Sequence, residues 1–175
     1  MGTFLGLLPD TEARELLGRH PRPVVDGVRW EPDERLHVTL RYTAVVHEEV
    51  VARLEEVAWM VSDRSVAPLI ELGPATELLG RDGTLVVPAR GAEELASTVD
   101  EVLDAFGLGD DVGPRDLPFS GHMTLARRRR RTTIPESLVG VPVSVSFRPR
   151  DVVLILSAPG PEGSIYDHRV RASFA

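Results

Sequence analysis

The tetrapeptide His37-Val38-Thr39-Leu40 occurs twice in this chain, returning 85 residues later as His122-Met123-Thr124-Leu125. In an extended strand successive side chains point to opposite faces. Each copy therefore presents an imidazole and a hydroxyl on one side and two apolar groups on the other. Two of five histidines would carry Thr two places on by chance in roughly three sequences per hundred. The apolar flanks reduce that to on the order of one in a thousand. The fold must supply two strands, each with a dry back and a polar front.

The segments around the motifs alternate between strand and helix. Residues 3–8 form a short apolar run ended by Pro9 and read as a strand. Asp10 caps a helix through about Arg19, with Leu16 and Leu17 expected on its buried side. After a short extended piece at 28–30, residues 35–42 form the first motif strand, with Leu36, Val38, Leu40 and Tyr42 expected on its core face. Val50, Leu54, Val57 and Val61 fall at helical spacing and predict a helix over 47–62. Residues 69–73 and 76–79 look extended, and Asp82-Gly83 is a hairpin-type turn into a strand over 84–88. Leu95, Val99, Val102 and Phe106 repeat the helical stripe, with Gly107 suited to the C-terminal cap. A loop is expected over 109–118, the second motif strand over 119–126 and a short turn or helix over 135–139. Strands over 141–147, 152–157 and 165–174 close the chain.

The order strand, helix, motif strand, helix, strands thus occurs twice. It predicts an α+β fold by diverged internal duplication, two halves related by an approximate two-fold with the motif strands side by side across a groove. The expected unit is one bilobal domain over residues 1–175, built from two interleaved repeats with motifs at 37–40 and 122–125.

Composition narrows the chemistry. The chain has no cysteine, which excludes disulfides, thiol nucleophiles and thiolate metal sites and makes a reducing cytoplasm the expected location. All 20 basic residues are arginine, so lysine catalysis is excluded. A net charge of −7 argues against broad coating of nucleic acid but allows an arginine-lined cleft that handles one strand end. No apolar run approaches membrane-spanning length, the opening segment lacks the basic region of a signal peptide, and a monomer is expected.

Two histidines facing across a cleft can divide general-base and general-acid work near neutral pH. Two hydroxyls beside them can donate to the non-bridging oxygens of a phosphate. Two histidines without a nearby cysteine or carboxylate cluster make a poor zinc site, so neither a metal nor another cofactor is expected. The chemistry that fits is in-line displacement at a phosphodiester. A strained cyclic phosphate suits the pair, because one strand end can be held and opened with water.

The doubled H-x-T-L pattern resembles the 2H phosphoesterase superfamily, and within it the 2′-5′ RNA ligase/RNA 2′,3′-cyclic phosphodiesterase family. The likeness extends to Phe4-Leu-Gly-Leu-Leu-Pro9, to Val28-Arg-Trp30 ahead of Leu36-His-Val-Thr-Leu-Arg41, to residues 119–127 (FSGHMTLAR), and to Val153-Leu-Ile-Leu-Ser157 with Gly160 and Tyr166. It implies two pseudo-symmetric lobes, each an antiparallel sheet backed by helices, with a central cleft. It also implies His37 and His122 as the acid/base pair and Thr39 and Thr124 as phosphate ligands. It implies opening of a 2′,3′-cyclic phosphate to a 2′-phosphate, with reversible 2′-5′ ligation in some members. The chain departs from the family in Tyr42-Thr43-Ala44, where Phe-Leu-Gly is usual, and in Gly121, where Pro often stands.

Arg41 and Arg127 follow the motifs and are candidate ligands for phosphate or its sugar. Simple alternation puts Arg41 on the His37 face and turns Arg127 away from the His122 face. Arg128 to Arg131 read as a solvated run able to steer RNA, Tyr42 and Phe119 as core aromatics, and Tyr166 by resemblance as a residue bordering the cleft. The alternatives are a related phosphoester substrate, such as a 2′-5′ oligonucleotide or an ADP-ribose cyclic phosphate, and a non-catalytic RNA- or nucleotide-binding module.

Overall fold

The computed structural model describes residues 2–44, 47–80, 83–113, 115, 118–129, 132–161 and 163–175. Its strands are β1 (Gly2–Leu7), β2 (Val28–Trp30), β3 (Val38–Thr43), β4 (Ile70–Leu72), β5 (Glu77–Leu79), β6 (Thr84–Arg90), β7 (His122–Arg128), β8 (Val145–Phe147), β9 (Asp151–Gly160) and β10 (Gly163–Ser173). The helices are α1 (Thr11–Gly18), α2 (Glu48–Arg64), α3 (Glu93–Ala105) and the single turn α4 (Gly109–Val112).

The strands join in one antiparallel sheet in the order β10-β9-β1-β3-β7-β6-β4-β8, with β2 added to β7 and β5 to β6. The two motif strands β3 and β7 are neighbours at its middle, paired through Val38 and Met123. On either side of that pair stand three further strands, β1, β9 and β10 on the β3 side and β6, β4 and β8 on the β7 side. The α+β class is what the sequence pattern anticipates.

All three long helices pack on one face of the sheet. Asp10 caps α1, its carboxylate accepting from the Ala13 amide at 2.8 Å. The stripe Val51, Leu54, Val57, Ala58 and Val61 of α2 and the stripe Leu95, Val99, Val102 and Leu103 of α3 are buried against Val38, Leu40, Met123 and Leu125. Burying a Leu or Val in this way contributes about 1.5–3 kcal/mol each, which pins the apolar side of both motifs. His37, Thr39, His122 and Thr124 are left on the other face, half-buried.

Several local expectations change. Leu16 is 41% exposed while Ala13 and Leu17 face the core, because a helix of eight residues presents only a narrow stripe. Residues 109–118 contain α4 instead of loop alone, and only Val145–Phe147 of the 141–147 run is strand, extended by a bridge from Pro142 to Ala75. Asp82 of the expected turn, and Arg130 and Arg131 of the basic run, lie outside the described residues.

Candidate active site

Antiparallel pairing of Val38 with Met123 sets the whole arrangement. Continued one residue each way, that register sets His37 toward Thr124 and Thr39 toward His122. Two His-Thr pairs, crossed, therefore share one patch of sheet. The charge of His122 acts on His37 strongly enough to help lower its pKa.

Both imidazoles are held in the same way. His37 Nδ1 lies 2.6 Å from the Arg35 carbonyl and His122 Nδ1 lies 2.9 Å from the Ser120 carbonyl, in each case two residues back. A carbonyl only accepts, so Nδ1 carries the proton and donates. In the neutral ring Nε2 is then the free base, and both rings offer the same nitrogen.

Each motif strand carries a bulge at the fourth residue of its tetrapeptide. Leu5 pairs with Arg41 and Gly6 with Thr39, which leaves Leu40 as the extra residue. Leu85 pairs with Ala126 and Val86 with Thr124, which leaves Leu125 extra. A bulge points two successive side chains the same way and resets the alternation beyond it. Both arginine expectations consequently invert. Arg41 follows Leu40 to the helix side, where it is 8% exposed, donates to the Gly113 carbonyl and lies 3.6 Å from Asp100. Arg127 comes to the histidine side, donates through Nε to Glu31 at 2.9 Å, and acts electrostatically on His37. The same reset exposes Tyr42, expected in the core, to 56%, while Phe119 remains packed on the core as anticipated.

Close backbone contacts explain two sequence features near the motifs. Gly6 stands beside the first bulge, where a Cβ would lie 2.9 Å from the Val38 carbonyl oxygen. A Cβ at Gly121 would collide with the Ala89 carbonyl, and the Ala89 amide donates to the Gly121 carbonyl at 2.9 Å. Proline therefore has no room at that position.

The two histidines differ in their surroundings. His37 stacks on Phe4 at 4.6 Å between ring centroids and meets Tyr166 edge-on at 5.6 Å. Burial in this aromatic slot holds its pKa below the ordinary value. The Arg127 and His122 charges push the same way, and the Arg35 carbonyl and Glu31 oppose them. Burial likewise raises the Tyr166 phenol. His122 stands opposite Pro88 on β6 with no such enclosure among the described contacts.

Sequence reasoning missed Glu31, which is 6% exposed and shared by Arg127 and Arg29. The signal available was Arg29-x-Glu31, two charges of opposite sign on one side of a strand.

The sequence profile of the 2′-5′ RNA ligase superfamily matches residues 19–159. The chain belongs to this superfamily. As a superfamily member it is 30% identical over 151 residues to an RNA 2′,3′-cyclic phosphodiesterase of Archaeoglobus fulgidus, with 81% of each chain covered. Its fold is similar to that of a solved Thermus thermophilus protein, with a TM-score of 0.84 at 23% identity over 99% of this chain and 98% of that one. It is also similar to E. coli LigT solved with 3′-AMP, with a TM-score of 0.70 at 20% identity over 99% and 97%. Among the described residues of this superfamily member, no helix is long and apolar enough to cross a membrane.

Proposed function

We propose that the chain is a metal-independent phosphodiesterase that opens a 2′,3′-cyclic phosphate, on an RNA end or a small nucleotide, to a 2′-phosphate. One observation carries this reading: two imidazoles on neighbouring strands, each fixed through Nδ1 by a carbonyl two residues back so that both offer Nε2, each two residues from a threonine on the same face. The likeness to the Archaeoglobus cyclic phosphodiesterase supports it.

In the reaction one imidazole takes a proton from water as its oxygen bonds to phosphorus. The other gives a proton to O3′ as the P–O3′ bond breaks, leaving the phosphate on O2′ and one proton passed through each ring. The Thr39 and Thr124 hydroxyls donate to the non-bridging oxygens, where charge builds up. Arg127, on the same face, contributes a guanidinium to the phosphate or its sugar. With a 5′-hydroxyl in place of water, the same opening forms a P–O5′ bond as P–O3′ breaks, which is 2′-5′ ligation, and attack of O3′ on that linkage reverses it. The catalytic unit is one bilobal domain of two interleaved repeats, acting as a cytoplasmic monomer.

The test is incubation of the protein with a nucleoside 2′,3′-cyclic phosphate in EDTA, with identification of the product. A 2′-phosphate is expected. Binding without turnover would make the chain a nucleotide-binding module, and turnover lost with EDTA would refute metal independence.

A further inference from the structure

Not every arginine bordering the His37 slot is used by this chemistry. β2 lies along the far end of β7 with Arg29 paired opposite Arg127. Arg29 and Glu31 are two residues apart and project to the same side. Glu31 is shared between Arg127 Nε at 2.9 Å and Arg29 Nη2 at 3.8 Å, two guanidiniums against one carboxylate. A third head converges on the same place. A Cβ at Gly163 would lie 2.6 Å from Arg29 Nη1 and 2.9 Å from Arg35 Nη1, so both heads reach in over the glycine that opens β10.

This cluster lies beside the reacting centre. Glu31, Arg127, Arg35 and Arg29 all act on the Tyr166 hydroxyl, and the Tyr166 ring meets His37 edge-on. The Arg29 and Arg127 side chains are 36% and 46% exposed, so a ligand can reach them. In a chain of net charge −7, guanidinium heads crowded on one spot form a local trap for an anion. Guanidinium matches phosphate in a planar, two-bond geometry that an ammonium does not offer.

We propose that Arg29 and Arg35, beside Arg127, form a second phosphate subsite. It takes the phosphate on the 5′ oxygen of the nucleoside whose cyclic phosphate lies between His37 and His122. The location of that first phosphate rests on the phosphodiesterase reading above. The subsite selects substrates with a phosphate upstream of the terminal nucleoside, as an oligonucleotide end has, over a bare nucleoside 2′,3′-cyclic phosphate.

The experiment is calorimetric titration of the protein with adenosine 2′-phosphate and with adenosine 2′,5′-bisphosphate. The bisphosphate is expected to bind at least about tenfold more tightly, and the ratio to shrink as salt is added. Arg29→Gln and Arg35→Gln should each bring the ratio to within about threefold of one. The ratio is taken within one protein, so a partly unfolded variant lowers both affinities and leaves it unchanged. Equal affinities in the wild type, or a ratio unchanged in both variants, would overturn the subsite. Turnover of a nucleoside 2′,3′-cyclic phosphate, measured alongside, separates the two ideas. Absent turnover with the 5′-phosphate preference intact refutes the cyclic phosphodiesterase reading and supports the anion subsite. Turnover without the preference refutes the subsite alone.

Discussion

The two motif strands are alike in everything the backbone decides and unlike in what surrounds them. Each histidine donates Nδ1–H to a carbonyl two residues back, and each strand bulges at the leucine of its motif. Beyond that, His37 lies in an aromatic slot formed by Phe4 and Tyr166, while His122 faces Pro88. Behind the first motif a buried Arg41 is tied to the Gly113 carbonyl, and in front of the second Arg127 is tied to Glu31. Duplicated backbone geometry thus delivers two equivalent nitrogens, and neighbouring strands make them unequal.

The harshest way to break the equivalence is to remove each ring. His37→Ala and His122→Ala should each lower kcat on a cyclic nucleotide by at least about a hundredfold. The double variant should be little worse than either single one, because groups acting on one step are not additive. Independent, multiplying losses would mean the rings do not serve the same phosphate.

The next contrast is between the arginines. Arg127→Ala should raise KM about tenfold with little change in thermal stability, since the side chain is half exposed and held by one carboxylate. Arg41→Ala should do the reverse, costing about 1–3 kcal/mol of stability in denaturant melts while folded protein keeps its KM. An exchange of these effects would show that the bulges do not reset the strand faces.

Gly121→Ala forces a Cβ onto the Ala89 carbonyl. It should cost about 1–3 kcal/mol and weaken kcat by displacing His122, without moving the titration of His37. The finest contrast is one of acidity. By NMR, His37 should titrate below the ordinary imidazole value, and Tyr166→Ala should move it upward by admitting water. The sign for stability follows. The unfolded chain protonates His37 more readily than the folded one, so this residue's contribution is complete above the unfolded value near ~6.5 and is lost as pH falls through the lower folded one. A His37 that titrates at or above the ordinary value would remove the asymmetry altogether.

The strands, the helices and the polar front of each motif were legible because alternation and helical spacing are written in the apolar residues themselves. Plain alternation misplaces Arg41, Arg127 and Tyr42 for a single reason. A one-residue bulge leaves no mark in composition, yet it turns every side chain beyond it to the other face. Glu31, Arg29 and Arg35 are not legible in the sequence because their meaning comes from β2 lying against β7, a pairing between distant segments. Tyr166 was placed only by resemblance, since nothing local ties β10 to His37.

That last link has a temporal side. β1 is gripped between β3 and β9, and β10 closes over them with Tyr166 against His37. A chain emerging from the ribosome can complete the β7 half of the sheet while the β3 half still lacks its outer strands. The slot around the first imidazole closes only when β9 and β10 have paired, so maturation of the centre waits for strands made after both of its histidines.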